Sequence, residues 1–159
     1  MKYYAGIGSR NAPPEILSVM TQIAEHLELR GYVLRSGAAK GSDTAFEAGV
    51  KNPANKEIFV GRAGSSVEAK TIAESIHPAW YNLSDYARGY HGRNVYQVLG
   101  KDLKTHVSFV VCWTLEGKEI GGTRTAIVLA KRLGIPVYNL AVCSISSVEE
   151  FVEDVIKNT

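Results

Sequence analysis

The sequence is poor in the features that mark specialised chains. It has two cysteines in 159 residues, Cys112 in FVVCW and Cys143 in LAVCS, both in apolar surroundings and without CxxC spacing. That excludes a disulfide framework and a cysteine zinc site, and fits small buried residues in a reducing compartment. His26, His77, His91 and His106 show no ligand spacing with each other or with the cysteines, so neither a metal nor another cofactor is expected. No apolar stretch approaches the roughly 20 residues that span a bilayer, so no membrane partner is expected. Tyr3–Ile7 is too short for a signal-peptide core, which gives a cytoplasmic expectation, in host cytoplasm if the protein is viral. Charge of one sign is lacking too. Eighteen Lys+Arg against 16 Asp+Glu leave +2, which argues against retention on duplex DNA by bulk charge alone. With no repeat, low-complexity tract or linker, residues 1–159 read as a single domain.

What is present is an alternation of β-rich runs and amphipathic stretches. It predicts an α/β fold, one Rossmann-like domain with an open, mostly parallel sheet of about five or more strands and helices on both faces. Strands are expected at Lys2–Ile7, Tyr32–Arg35, Glu57–Val60, Val107–Trp113 and Ile135–Leu140. Val107–Trp113 reads as a sheet centre and Ile135–Leu140 as the last central strand. Helices are expected from Pro13-Pro14 to Gly31, from Ser42 to Gly49, over Val67–Ile76, from Ser84 to Leu103, from Gly121 to Leu133 and from a Ser147 cap to Ile156.

Glycine is plentiful, at 15 residues, and its placement is informative. Three strands run into glycine-marked turns: Gly6-Ile7-Gly8-Ser9-Arg10, Ser36-Gly37-Ala38-Ala39-Lys40-Gly41-Ser42-Asp43, and Gly121-Gly122-Thr123-Arg124-Thr125. In an open parallel sheet such turns gather at the carboxyl edge. Glycine admits a close ligand, and each following helix presents free N–H groups. Ser9, Ser36, Ser42, Thr123 and Thr125 add hydroxyls, and Arg10, Lys40 and Arg124 add charge. An anionic ligand is the favoured expectation. The spacing matches neither a Walker A loop nor G-x-G-x-x-G.

Gly8-Ser9-Arg10 and the stretch Ser36 to Ala45 resemble the G-S-R turn and S-G-x-A-[RK]-G-x-D-x-x-A stretch of the DprA (Smf) DNA-processing family. Gly121-Gly122-Thr123 with Gly134-Ile135-Pro136-Val137 resembles an element that DprA shares with the LOG, or lysine-decarboxylase-like, proteins. Together these form the SLOG superfamily, and the resemblance runs over nearly the whole chain. It implies a Rossmann-like fold whose nucleotide or nucleic-acid site is lined by Gly8, Ser9, Arg10, Ser36, Gly37, Lys40, Gly41, Asp43, Gly121, Gly122 and Thr123. The LOG pattern of N-glycosidic cleavage is broken: Ile120 replaces its proline and Val128 its catalytic glutamate. Glu47 stands where DprA proteins tend to carry histidine.

Asp43 and Glu47, one helical turn apart, are the remaining candidate acid/base pair, with capping and a solvated face as their ordinary roles. In Asp85–Asn94, Tyr86, Tyr90 and His91 are placed to stack on a base while Arg88 and Arg93 hold phosphate, or to pack on the sheet as an amphipathic helix. LOG-like proteins carry an arginine on a comparable helix, which adds weight to Arg93. His77 and Trp80 are candidates for a rim. Three functions stay open: binding of a free nucleotide or ADP-ribose-like signal, which is favoured; DprA-like binding of single-stranded DNA; and phosphoribohydrolase activity on nucleoside monophosphates. A homo-oligomer is expected, with Ile72 and Ile76 or Val148, Phe151 and Val155 as candidate faces, whose equal alternative is a place in the core.

Overall fold

The computed structural model describes residues 1–159. Its strands are β1 (Lys2–Gly6), β2 (Tyr32–Ser36), β3 (Lys56–Ile58), β4 (Phe109–Cys112) and β5 (Val137–Asn139). They form one all-parallel sheet in the order β3-β2-β1-β4-β5. The helices are α1 (Pro14–Leu29), α2 (Ser42–Gly49), α3 (Val67–Glu74), α4 (Asp85–Leu99), α5 (Arg124–Arg132) and α6 (Val148–Lys157).

Crossover handedness explains the layering. The chain moves outward from β1 to β2 to β3, then returns beyond β1 to β4 and moves the other way to β5. Right-handed crossovers therefore place helices on opposite faces of the two halves. Met20, Ile23 and Leu27 of α1, Phe46 of α2 and Val152 and Val155 of α6 form one core with Tyr4, Leu34, Phe109 and Val111. Ala69 and Ala73 of α3, Val95 and Val98 of α4 and Ile127 and Ala130 of α5 form the other with Ala5, Val110 and Cys112. Adjacent strand residues face opposite cores, as the period of two requires. All four residues of β4 are buried, and the Tyr4 and Phe109 rings stack across the β1–β4 pair at 5.6 Å.

Several boundaries differ from the expected ones, each for a local reason. Helix α4 begins at its Ser84 cap, whose hydroxyl accepts from the Ala87 amide at 3.2 Å. It stops at Leu99 rather than Leu103, because Gly100 takes a left-handed φ of 83° and Leu103 one of 61°. Gly121–Thr123 forms a 3-10 turn before α5 instead of the first turn of one long helix. Strand β5 is an edge strand, not a central one. Ser147 caps α6 as expected, accepting from the Glu150 amide at 3.1 Å.

The apolar faces expected to pair copies of the chain lie in its own interior. Ile76 and Val155 are core residues, and Ile72, Val148 and Phe151 pack against them.

Helices α1 and α2 meet where Gly49 lies against the Thr21 carbonyl and the Ala24 methyl, with no space for a Cβ. Gly49→Ala is expected to lower stability by about 1–3 kcal/mol through overpacking. Urea unfolding checks this as a reduced midpoint at unchanged slope.

Candidate functional site at the carboxyl edge

The two crossover directions part between β1 and β4, and a cavity of about 500 Å³ opens there. Such a switch point is where open α/β sheets receive ligands. Ile7–Asn11 following β1, Ala39 and Asp43 following β2, Trp113–Leu115 following β4 and Ile120–Thr123 before α5 line it, with Tyr90, Arg93, Asn94 and Gln97 of α4.

The β1 and β2 loops are fastened to each other. The Ser42 hydroxyl and the Ser42 amide both donate to the Ser9 carbonyl, at 2.7 and 3.2 Å. The Ser9 amide donates to the Trp113 carbonyl at 2.9 Å, which ties the same turn to β4. The Ser36 hydroxyl donates to the Gly6 carbonyl at 2.7 Å.

The floor is an arginine and a carboxyl group. Arg93 is 3% exposed. Its Nη1 donates to the Gly37 carbonyl at 3.0 Å, and its guanidinium lies 4.3 Å from the Tyr90 ring centroid. A Cβ at position 37 would meet that guanidinium and displace it, so glycine there leaves room for Arg93. The Arg93 Nε–H has no partner. Asp43, 4% exposed, accepts from the Ala39 amide through Oδ2 at 3.3 Å. No salt bridge joins the two groups; the ion pairs of the chain lie elsewhere.

Burial pushes the Asp43 carboxyl up to about 7, with the nearby Glu47 carboxylate adding to the rise and Arg93 and the Ala39 and Gly37 amides opposing it. Burial also raises Glu47, whose Oε2 accepts from the Ala38 amide at 3.0 Å. Both carboxylates thus hold the β2–α2 loop from below. Asp43 and Glu47 do share one side of α2, but only Asp43 reaches the cavity.

The structure brings together Gly8, Ser9, Arg10, Asp43, Tyr90, Arg93, Gly121, Gly122 and Thr123 from the expected set. Others of that set lie outside the cavity lining. Ser36 and Ser42 are buried and spend their hydroxyls on backbone carbonyls. Gly37 and Gly41 act as spacers behind the loop, the first against Arg93 and the second against the Arg10 backbone. Lys40 is exposed. The Arg124 guanidinium donates to the Ile76 carbonyl at 2.9 Å, at the end of α3, because Arg124 begins α5 and extends along that helix's packed side. Tyr86 is 65% exposed and also outside the lining. Trp80 is a core residue, with Arg88 over its ring, so the His77–Trp80 loop forms no rim here. Val128, at the place of the LOG glutamate, packs against the core, and α5 carries no carboxylate.

Asn94, Gln97, Trp113 and Thr114 line the cavity without having been singled out in the sequence. Tyr90, Arg93, Asn94 and Gln97 fall at i, i+3, i+4 and i+7 on one helical face, a spacing that marks the two amides.

Solved structures share this fold. A structure of DNA processing protein A from Helicobacter pylori, concerned with its single-stranded DNA binding mode, matches with a TM-score of 0.63 and 15% identity, over 99% of this chain and 81% of that one. The fold is DprA-like. DprA from Streptococcus pneumoniae matches with a TM-score of 0.49 and 16% identity, over 99% of this chain and 56% of that one. No family model and no curated protein matches the sequence. No helix is long and apolar enough to cross a membrane.

A raised pKa carries a definite sign. The folded Asp43 takes up a proton near pH 7, and the unfolded one near 3.8. Its contribution to stability is therefore greatest below that window and is lost as pH rises through it. Asp43→Asn is expected to raise the melting temperature at pH 8 and to change it much less at pH 4. Thermal unfolding at both values measures the difference.

Proposed function

We propose that the chain binds single-stranded nucleic acid by seating one nucleotide in the switch-point cavity, with the neighbouring phosphates on its rim. The observation that carries this reading is the buried Arg93 guanidinium, which lines an open cavity and donates to the chain through Nη1, at the Gly37 carbonyl. The DprA-like fold supports a strand as that ligand, since the H. pylori neighbour is described as binding single-stranded DNA.

The roles follow from position. Arg10 is exposed at the mouth and reaches the Tyr90 hydroxyl at 3.4 Å, which sets its guanidinium above the site. Lys40 lies exposed on the adjoining loop. These are cations for phosphate, and the first amides before α5, at Gly121–Thr123, are donors left free by helix geometry. Tyr90 and Trp113 supply aromatic walls, against which a base gains stacking energy of about 1–3 kcal/mol. A free nucleotide is the second reading. It is favoured by a cavity whose volume lies within the range typical of small-molecule sites.

Fluorescence anisotropy with a labelled mixed-sequence oligodeoxynucleotide tests the strand. Binding is expected at low salt, with log affinity falling linearly against log salt by about 0.7 per phosphate contacted. Arg10→Ala is expected to reduce affinity by roughly three- to tenfold and to lower that slope by about one contact, without moving the melting temperature. Retention of mononucleotides but of no oligonucleotide would establish the second reading instead. Retention of neither overturns both.

A further inference from the structure

The rim and the floor of the cavity differ in charge. Arg10 at the mouth and Lys40 on the adjoining loop are exposed cations in no ion pair, whereas Arg93 shares the floor with the Asp43 carboxyl. A phosphate at the floor would meet a carboxylate, so the charged end of a nucleotide belongs at the mouth and its base points inward. Asp43 and Arg93 line the same cavity and make no ion pair with each other, so hydrogen-bonding capacity of both remains for a ligand. The Gln97 side chain is bonded to no other group of the chain and opens onto the same floor, beside Gly37. Asn94 is committed, its amide donating to the Gly122 carbonyl at 2.7 Å.

The floor therefore offers an acceptor pair on one side and donors on the other. Among the bases, guanine alone places two adjacent donors, N1–H and N2–H₂, beside a carbonyl acceptor, O6. Adenine would turn its N1 acceptor toward the carboxylate. Cytosine and thymine give a carboxylate a single donor and are a ring shorter. We propose that the cavity floor is a guanine-reading subsite: the Asp43 carboxylate receives N1–H and N2–H₂, and the Arg93 guanidinium with the Gln97 amide donates to O6. Reading an extruded base by its Watson–Crick edge against aromatic walls is an established physical solution. The proposal rests on the nucleotide-binding reading above and adds the identity of the base.

The test uses the full chain at pH 8, where Asp43 is ionised, with a bound fluorescent oligodeoxynucleotide displaced by dGMP, dAMP, dCMP, dTMP and GMP in separate titrations. dGMP is expected to compete on the order of tenfold more tightly than the other deoxynucleotides, as one bidentate base contact implies. GMP is expected to match dGMP. Asp43→Asn, which keeps an oxygen for the Ala39 amide, is expected to abolish that preference. Equal competition by all four deoxynucleotides overturns the guanine assignment and leaves strand binding standing. A preference for GMP over dGMP overturns it in favour of Asp43 reading a ribose hydroxyl. Displacement by no mononucleotide overturns it as well, since the floor would then hold no base. Failure of the oligonucleotide itself to bind is the separate failure of the underlying reading. The wild-type titrations decide the matter even if the variant does not fold.

Discussion

The pairing of β1 with β4 is the constraint on which the rest depends. β1 lies between β2 and β4, with Tyr4, Ala5 and Gly6 in register with Phe109, Val110 and Val111. Because the chain leaves β1 in one direction and β4 in the other, the loops above these two strands cannot close over each other. The opening is thus a product of strand order rather than of any one loop. What the loops add is chemistry. The β1 turn brings Gly8–Arg10, the β2 turn brings Asp43, and α4 crosses behind them with Tyr90, Arg93 and Gln97.

The floor shows how local packing and function share the same atoms. Arg93 holds the β2–α2 loop through the Gly37 carbonyl, and Asp43 and Glu47 hold it through backbone amides. Each of these charged groups has a structural task, and each is buried in part or in full. Burying charges without direct ion pairing is unfavourable. The raised pKa of Asp43 is the sign of that cost. A site of this kind keeps unsatisfied hydrogen-bonding capacity in one spot instead of spreading it over the core.

Much of the fold was legible because strong local signals agreed with the global pattern. The continuous apolar run around β4, the Ser84 and Ser147 caps and the glycine-marked turns each pointed to one answer. The three turns do converge on one edge. Less legible were features fixed by three-dimensional neighbours. Ser36 and Ser42 look like ligand donors in a linear reading, but the carbonyls of Gly6 and Ser9 claim them across loops about 30 residues apart in sequence. Arg124 sits beside a glycine turn, yet the Ile76 carbonyl at the end of α3 draws it away. The place of β5 at the sheet edge depends on strand order, which periodicity alone does not reveal. Asn94 and Gln97 were marked only by their spacing from Arg93.

The fastening of Ser42 to Ser9 has a further consequence. It joins the two loops that carry the floor, while Arg10 and Lys40 extend outward from those loops, Arg10 meeting the wall of the site at the Tyr90 hydroxyl. Exposed charge and buried geometry are thereby placed on separate residues, so the exchange of either outer cation would leave the Ser42–Ser9 fastening and the Arg93–Gly37 contact in place.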